Sequence, residues 1–169
     1  DWDFLIGSVH FIYGHAADNP GLAGIWGRLP VSEVYTRYFT LLREAVESCA
    51  FDILGHLDVP KMVRPLPADD KVAESLSRLI DAIVASGITV EVNTAFSYRQ
   101  TPREEFCPSC EIISRLAARG VPLTLSSDAH RPEHLGMNLD KAAELLRSMG
   151  VRSVCRFWRR MPETLPLTS

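Results

Sequence analysis

Short apolar runs alternate along the chain with longer stretches in which apolar residues recur at helical spacing. The runs predict β-strands near residues 4–9, 51–55, 88–92, 122–126 and 153–157. The longer stretches predict α-helices near residues 32–48, 69–86, 108–119 and 139–149. This alternation is typical of parallel strands joined by crossover helices, in a βα barrel or a doubly wound sheet. We therefore expect one α/β domain over residues 1–169, with a loop at 14–30.

The composition narrows the class of protein further. Of the 169 residues, 46% are hydrophobic and 23% are charged, as in an ordinary globular protein. The net charge of −3 gives no reason to expect nucleic acid or an acidic membrane as a partner. The sequence also contains no apolar run near the ~20 residues needed to span a bilayer. These features favour a cytoplasmic enzyme.

Four cysteines are spread along the chain, at positions 49, 107, 110 and 155. We expect their thiols to be reduced, as is usual inside cells. The Cys107-Pro108-Ser109-Cys110 segment has the C-x-x-C spacing of zinc and redox sites, but no second such pair is present for a zinc ribbon. We favour a structural role for this segment at the start of a helix. Oxidation sensitivity or adventitious metal binding is the alternative.

Polar residues that can bind metals lie at the carboxyl ends of the predicted strands. In α/β folds the βα loops converge at that edge of the sheet, and active sites are built there. Imidazole and carboxylate groups together bind Zn²⁺, Mn²⁺ or Fe²⁺, and two such ions can bridge a hydroxide and neutralise phosphate oxygens. A single strand-end histidine is more often structural, but four residues at three strand ends favour a metal site. The candidate ligands are His10, His56, Asp128 and His130, of which the last two are also the candidate catalytic residues.

Other polar residues near these strand ends have more ordinary interpretations. We expect Glu91 to be buried and hydrogen-bonded rather than to act as a ligand. Asp58 either orients the imidazole of His56 or caps the following turn. His15 and His134 lie in a loop and at a helix start, and we treat both as surface residues.

Basic side chains after the second and third predicted strands are candidates for binding a phosphate group. Arg99 follows the third strand, and Lys61 and Arg64 follow the second. A guanidinium can bind phosphate through two parallel hydrogen bonds, which fix its orientation as well as supplying charge. Arg131, beside the metal motif, ranks below these three. For each of them a solvated loop cation is the alternative.

Four segments at the predicted strand ends are Asp3-Phe4-Leu5-Ile6-Gly7-Ser8-Val9-His10-Phe11, Gly55-His56-Leu57-Asp58, Glu91-Val92-Asn93-Thr94 and Ser127-Asp128-Ala129-His130. In their order along the chain they resemble the C-terminal motifs of histidinol-phosphatases of the PHP superfamily. The resemblance runs over almost the whole chain, including the Leu-Pro-Leu near its end. Glu91-Val92-Asn93-Thr94 together with Arg99 resembles the histidinol-phosphatase branch more than PHP domains in general.

The resemblance implies a distorted seven-stranded βα barrel with parallel strands and outer helices, holding up to three divalent metal ions (Mn, Zn or Fe). It also implies that His10 and His56 share one metal, that Asp128 binds another and His130 a third, and that Arg99 binds the substrate phosphate. The implied reaction is hydrolysis of L-histidinol phosphate to L-histidinol and phosphate in histidine biosynthesis. Two alternatives remain: another PHP-type phosphoesterase, and a PHP-like fold that binds a metal or a partner without catalysis.

The sequence departs from the family at its beginning. The family opens with a His-x-His motif on its first strand and supplies further ligands before Gly7-Ser8-Val9-His10, whereas this sequence contains no His-x-His. We therefore expect a partial barrel that lacks the family's first strands and is weak or inactive alone. Such a barrel has two unpaired sheet edges, which favour association into oligomers.

Overall fold

The computed structural model describes residues 2–18, 24–99 and 105–167. Within them the strands are β1 (Ile6–Gly7), β2 (Phe11–Ile12), β3 (His15–Ala16), β4 (Ile53–Leu54), β5 (Thr89–Asn93), β6 (Leu123–Ser126), β7 (Ser153–Trp158) and β8 (Met161–Pro166). The α-helices are α1 (Val31–Glu47), α2 (Asp70–Ser86), α3 (Phe96–Arg99), α4 (Cys110–Ala118) and α5 (Leu139–Ser148).

A four-stranded parallel sheet in the order β1-β4-β5-β6 forms the centre of the fold. Ile6 is paired with Ile53, and Ile53 in turn with Thr89, so the first three strands are in register along one line. The four strands of this sheet occur in the same order along the chain, and each connection between them contains at least one α-helix, as the strand–helix alternation predicts. Within the described residues, β1 and β6 each have one edge without a strand partner.

The helices lie outside the sheet and bury apolar faces against it and against one another. Asp69 caps α2 by accepting hydrogen bonds from the backbone N–H groups of Lys71 and Val72, at 2.9 and 3.2 Å. Gly87 ends the helix with a φ of 69°, a conformation that glycine adopts without steric cost. The principal buried residues of α1 and α2 are Val34, Tyr35, Tyr38, Phe39, Leu42, Val46, Val72, Leu76, Leu79, Ile80 and Ile83.

Two β-hairpins were not predicted. β2 and β3 pair antiparallel and place regular structure inside the expected loop at 14–30. β7 pairs antiparallel with β8 in a separate two-stranded sheet, rather than joining the parallel sheet. The turn between β7 and β8 is Arg159-Arg160, with φ values of 51° and 66°. Left-handed conformations at both residues match a type I′ turn, which usually carries Asn-Gly, so the sequence offers no turn signal here.

The hairpin of β7 and β8 is anchored at the amino ends of β1 and β4. The Arg160 guanidinium lies 2.7 Å from the carboxylate of Asp52, and the Arg160 N–H donates to the carbonyl of Asp3 at 2.7 Å. The Phe4 and Phe157 rings are 6.2 Å apart. This hairpin therefore covers the sheet end opposite to the predicted site.

Each helix in the described parts of the chain is either too short or too polar to cross a lipid bilayer.

Candidate active site

A cavity of about 810 Å³ opens at the carboxyl ends of β1, β4, β5 and β6. All four predicted metal ligands line it, although they lie as far as 120 residues apart in the sequence. The parallel sheet brings them together at one edge. His10 follows β1, His56 follows β4, and Asp128 and His130 both follow β6. The polar residues around the cavity include His10, His56, Asp128, His130, Asp18 and Glu91.

His10 and His56 form a contacting pair of predicted ligands. Their ring centroids are 4.7 Å apart and the rings meet edge to face. Burial, followed by the proximity of His10, lowers the pKa of His56 below its ordinary value. The uncharged imidazole is the form that binds metals. In the described structure the Nδ1 atom of His56 is buried and has no hydrogen-bond partner. Buried polar atoms usually have a partner, so this nitrogen can still bind a ligand.

Local geometry explains how His56 reaches this position. A side chain on Gly55 would place its Cβ 2.5 Å from the Ser8 hydroxyl, so glycine allows the chain to approach β1 closely. His56 itself has a φ of 24°, and such strained conformations occur preferentially at functional sites. Its backbone N–H donates to Oε2 of Glu91 at 2.8 Å, and the Tyr38 hydroxyl donates to its carbonyl at 3.3 Å.

Glu91 is 3% exposed and accepts a second hydrogen bond from the Asn93 side chain at 3.2 Å. The prediction that Glu91 is buried and hydrogen-bonded is therefore confirmed. Because its Oε2 atom binds the backbone of His56, Glu91 connects the end of β5 to the loop that carries this ligand. It also lines the cavity.

Asp128 and His130 occupy the loop after β6. Asp128 has a φ of 46°, and its N–H donates to the Ser126 hydroxyl at 3.0 Å. Nδ1 of His130 lies 2.9 Å from the Asp128 carbonyl oxygen. A carbonyl only accepts hydrogen bonds, so in the neutral imidazole this contact assigns the proton to Nδ1 and the lone pair to Nε2. The Tyr98 hydroxyl donates to the Ser127 carbonyl and fixes the same loop.

These residues fit a divalent metal in their chemistry, although not as a complete ligand set. Three imidazoles and three carboxylates, those of Asp18, Glu91 and Asp128, line one cavity. The buried Nδ1 of His56 has no hydrogen-bond partner in the described structure. However, no three His, Cys, Asp or Glu side chains within the described ranges form a group that could hold a metal ion alone. Any metal bound here would therefore need ligands in addition to this group, or a rearrangement of its side chains.

Lys61, a predicted phosphate ligand, lies outside the cavity lining and is held by protein groups. Its ammonium is 3.1 Å from Asp58 Oδ2, and the two side chains are 8% and 3% exposed. It also donates to the Phe106 carbonyl at 2.5 Å. Lys61 would have to leave this ion pair to reach a substrate, and its role as a phosphate ligand stays a prediction.

Asp58 neither orients the His56 imidazole nor caps its own turn with its side chain, so both interpretations of Asp58 are corrected. Its carboxylate accepts hydrogen bonds from the Cys107 thiol at 2.8 Å and from the Ser109 N–H at 2.9 Å. It therefore ties the loop after β4 to the start of α4.

Cys107 is fully buried in this network, and burial raises the pKa of its thiol. All four cysteines are free, Cys107 being buried and Cys110 exposed, and the structural role of the Cys107–Cys110 segment stays a prediction.

The other basic residues predicted to bind phosphate, and the histidine predicted to lie at a helix start, have different surroundings in the structure. Arg64 is exposed and lies outside the cavity lining, and Arg99 is described only as the last residue of α3, since its side chain lies outside the described structure. Both stay predictions as phosphate ligands. His134 is half-buried against Tyr98, with ring centroids 4.5 Å apart, so it is partly rather than fully exposed. Arg131 lines a smaller neighbouring cavity with Tyr98, His130 and His134.

His15 is also half-buried, with Nε2 3.3 Å from the Arg28 guanidinium, and it lies outside the main cavity lining. Asp18 lines the cavity but was not predicted from the sequence, and its Oδ2 lies 2.7 Å from Nδ1 of His10. The two residues are eight positions apart, and only the unpredicted hairpin of β2 and β3 returns Asp18 to the end of β1. The sequence signal that could have revealed this hairpin is Gly14, because glycine favours tight turns. In the structure Tyr13 and Gly14 form such a turn, with φ values of 50° and 77°.

The fold and the cavity define an α/β domain of partial-barrel form with a polar site at the carboxyl edge of its parallel sheet. The model of the PHP domain family matches residues 1–95, which is more than half of the chain. This chain belongs to the PHP family.

Similar proteins extend this result to nearly the whole chain. A probable histidinol-phosphatase from Deinococcus radiodurans is 34% identical over 161 residues, which cover 95% of this chain and 60% of that protein. A probable histidinol-phosphatase from Schizosaccharomyces pombe is 26% identical, covering 90% of this chain and 53% of that protein. The chain thus spans about three fifths or less of the length of these relatives.

Solved structures confirm the fold. Histidinol phosphate phosphatase from Lactococcus lactis, crystallised with zinc, L-histidinol and phosphate, superposes with a TM-score of 0.76 at 20% identity. The match covers 96% of this chain and 62% of that one. A putative histidinol phosphatase from Listeria monocytogenes matches with a TM-score of 0.65 at 16% identity, over 80% of this chain and 56% of that one. The expected PHP-type partial barrel, with parallel strands and outer helices, is confirmed.

Proposed function

We propose that this PHP domain takes part in the metal-dependent hydrolysis of L-histidinol phosphate to L-histidinol and phosphate. The observation that carries the proposal is the convergence of His10, His56, Asp128 and His130 on one cavity. Family membership supports it, as does the similarity to proteins named as probable histidinol-phosphatases. The cavity volume of about 810 Å³ lies in the range of small-ligand sites and suits a small phosphate ester.

In this proposal, His10, His56, Asp128 and His130 hold Mn²⁺, Zn²⁺ or Fe²⁺. When bound, such ions neutralise phosphate oxygens and lower the pKa of a coordinated water. The choice of metal depends on availability and geometry more than on these ligand types, which all three ions accept.

The protein groups would orient the ester and handle protons. Arg99 is the last residue of α3, which follows the strand that carries Glu91 and Asn93 in the chain. It would clamp the phosphate through two parallel hydrogen bonds. Asp128, which lines the cavity, would accept a proton from the attacking water. The Nδ1–H of His130 donates to the Asp128 carbonyl, so its ring is oriented before any ligand binds.

We also propose that full activity needs residues that the relatives have outside the part matched by this chain. Two observations support this: the coverage of 60% of the Deinococcus radiodurans relative, and the lack of a self-sufficient ligand group in the described residues. The same incomplete group supports a second candidate function, in which this chain binds a metal without hydrolysing an ester.

Phosphate release from L-histidinol phosphate, with and without added Mn²⁺, tests both candidates. The 169-residue chain would be assayed alone and fused to the part of the Deinococcus radiodurans relative that has no counterpart in it. We expect little turnover by the chain alone, metal-dependent turnover by the fusion, and loss of that turnover in Asp128→Ala. Robust turnover by the chain alone would contradict the need for additional residues.

Other phosphate esters in the same assay test the substrate. Glucose 6-phosphate and p-nitrophenyl phosphate should be poor substrates if the segment from Glu91 to Arg99 selects histidinol phosphate. Equal turnover of all three esters would instead indicate a general PHP-type phosphoesterase. Metal binding without turnover of any ester by the fusion would favour the binding function.

A further inference from the structure

Asp18 and His10 form a hydrogen-bonded pair at the cavity. The distance from Asp18 Oδ2 to His10 Nδ1 is 2.7 Å, and both residues line the cavity. The two side chains are 23% and 49% exposed. Ion pairs with this much exposure contribute little to stability, so the fold alone does not account for the pairing.

The pairing determines which nitrogen of His10 carries the proton. An ionised carboxylate only accepts hydrogen bonds, so the neutral imidazole must donate through Nδ1–H. The lone pair is then on Nε2, which is the nitrogen left to bind a metal. In proteins, carboxylates that accept from the second nitrogen of a metal-binding histidine fix its tautomer and ring orientation and raise its basicity.

The hairpin of β2 and β3 holds Asp18 in place for this contact. The Ala17 N–H donates to the carbonyl of His10 at 2.9 Å, directly before Asp18 in the chain. Ile12 of β2 and Ala17, the residue directly after β3, are fully buried, so the hairpin is attached to the core at both positions. Asp18 is therefore carried by an anchored segment rather than by an unsupported loop.

We propose that Asp18 is a positioning residue that fixes His10 in the Nδ1–H tautomer and presents Nε2 to the metal. The metal part of this statement rests on the proposed function, whereas the tautomer part does not. His130 shows the same arrangement with a different acceptor, since its Nδ1 faces the Asp128 carbonyl. His56 differs, because its Nδ1 has no partner in the described structure.

Long-range ¹H–¹⁵N NMR spectra of the metal-free chain test the tautomer directly. The spectra would be recorded near pH 8.5, where histidine side chains are normally neutral. We expect the Nδ1–H pattern for His10 in the wild type and a mixture of tautomers in Asp18→Ala. Asp18→Asn should restore most of the wild-type pattern, because an amide oxygen also accepts the Nδ1–H bond. An unchanged His10 pattern in Asp18→Ala would overturn the proposal.

Zinc affinity tests the second part. Loss of a group that orients a metal ligand typically costs about 10- to 100-fold in affinity. We expect a loss of this size in Asp18→Ala, a smaller loss in Asp18→Asn, and an unchanged number of zinc ions bound per chain. Asp81→Ala is the matched control, because Asp81 pairs with Arg119 at 3.0 Å on the exposed surface.

The outcomes separate this proposal from the proposed function. Loss of one bound zinc in Asp18→Ala would overturn positioning in favour of direct ligation by Asp18. Unchanged zinc affinity in that variant would overturn it as well. If the wild-type chain bound no zinc, the proposed metal site would fail, and the NMR pattern would still decide whether Asp18 fixes the tautomer.

Discussion

The Lys61–Asp58 pair shows how one buried residue supports the site without lining it. Both side chains are almost fully buried, and Asp58 also holds Cys107 and Ser109. Removing one partner of a buried ion pair leaves the other charge unpaired in a medium of low dielectric constant. The contribution of Lys61 to this domain should therefore appear first in its stability.

Lys61→Met should lower the free energy of unfolding by about 3 kcal/mol, the size typical of breaking a buried ion pair. Urea unfolding of the purified chain measures this loss. Arg78→Met is the matched control, since Arg78 forms an exposed pair with Glu74 and should cost less than about 0.5 kcal/mol. Equal stability of Lys61→Met and wild type would show that Asp58 does not depend on Lys61.

Cys107 makes stability depend on pH in the alkaline range. Burial raises the pKa of its thiol, whereas in the unfolded chain the thiol ionises near its ordinary value of about 8.5. The unfolded state therefore binds fewer protons above that pH, and the free energy of unfolding falls as the pH rises. The thiol of Cys155 also has a raised pKa and adds to the same trend.

Cys107→Ser should remove part of this pH dependence, because a serine hydroxyl can donate to Asp58 but does not titrate. Between pH 8.5 and 10 the wild type should lose about 1 kcal/mol per pH unit more than the variant. Unfolding by urea at several pH values measures the difference. Cys49→Ser, at an exposed cysteine, should leave the wild-type slope unchanged, and an identical slope in Cys107→Ser would refute the assignment.

Among single residues, those with motif context could be predicted and those placed by long-range packing could not. His10, His56, Asp128 and His130 were predicted because each ends a strand, and the parallel sheet aligns strand ends at one edge. Lys61 could not be assigned from sequence, since its ion pair with Asp58 lies in a buried network that includes Ser109, about fifty positions further along the chain. Whether an isolated basic residue is buried or forms an ion pair depends on the folded structure and cannot be predicted from the sequence.

At the scale of elements, the helices followed from their periodicity and end signals. The predicted helix at 32–48 corresponds to α1 at Val31–Glu47, and the helix capped at Asp69 corresponds to α2 at Asp70–Ser86. The hairpins were missed for physical reasons. β8 contains two prolines and polar residues and lacks an apolar run, while β2 and β3 have only two residues each.

The cap of α2 offers a direct test at this scale. Asp69→Ala removes the carboxylate that accepts from Lys71 N–H and Val72 N–H, and should cost about 1 kcal/mol of stability. Urea unfolding measures the loss. Ser109→Ala is the control, because Ser109 precedes α4 without a side-chain capping bond and should cost far less. Equal losses would contradict the assigned role of the Asp69 side chain.

At the scale of the whole molecule, the sheet has an exposed side at β1. In the described structure this strand pairs only with β4, and large apolar side chains along it are exposed. Unpaired strand edges are templates for pairing with another chain. The apolar residues exposed at and around β1 are Trp2, Phe4, Ile6, Phe11 and Tyr13.

Association through this edge should depend on concentration. Sedimentation velocity of the isolated chain should show species larger than the monomer as the concentration rises. Fusion to the unmatched part of the Deinococcus radiodurans relative should reduce association, if that part covers β1. A chain that stays monomeric at all concentrations would contradict a role for the exposed edge.

Zinc binding by the wild-type chain and by His56→Ala tests the central claim that strand-end residues of this PHP domain form a metal site. Isothermal titration at neutral pH should show binding by the wild type and a loss of at least about 10-fold in affinity in His56→Ala, because the variant removes a proposed direct ligand. His15→Ala is the control, since His15 pairs with Arg28 and lies outside the main cavity lining. Equal affinity in wild type and His56→Ala would contradict the metal site.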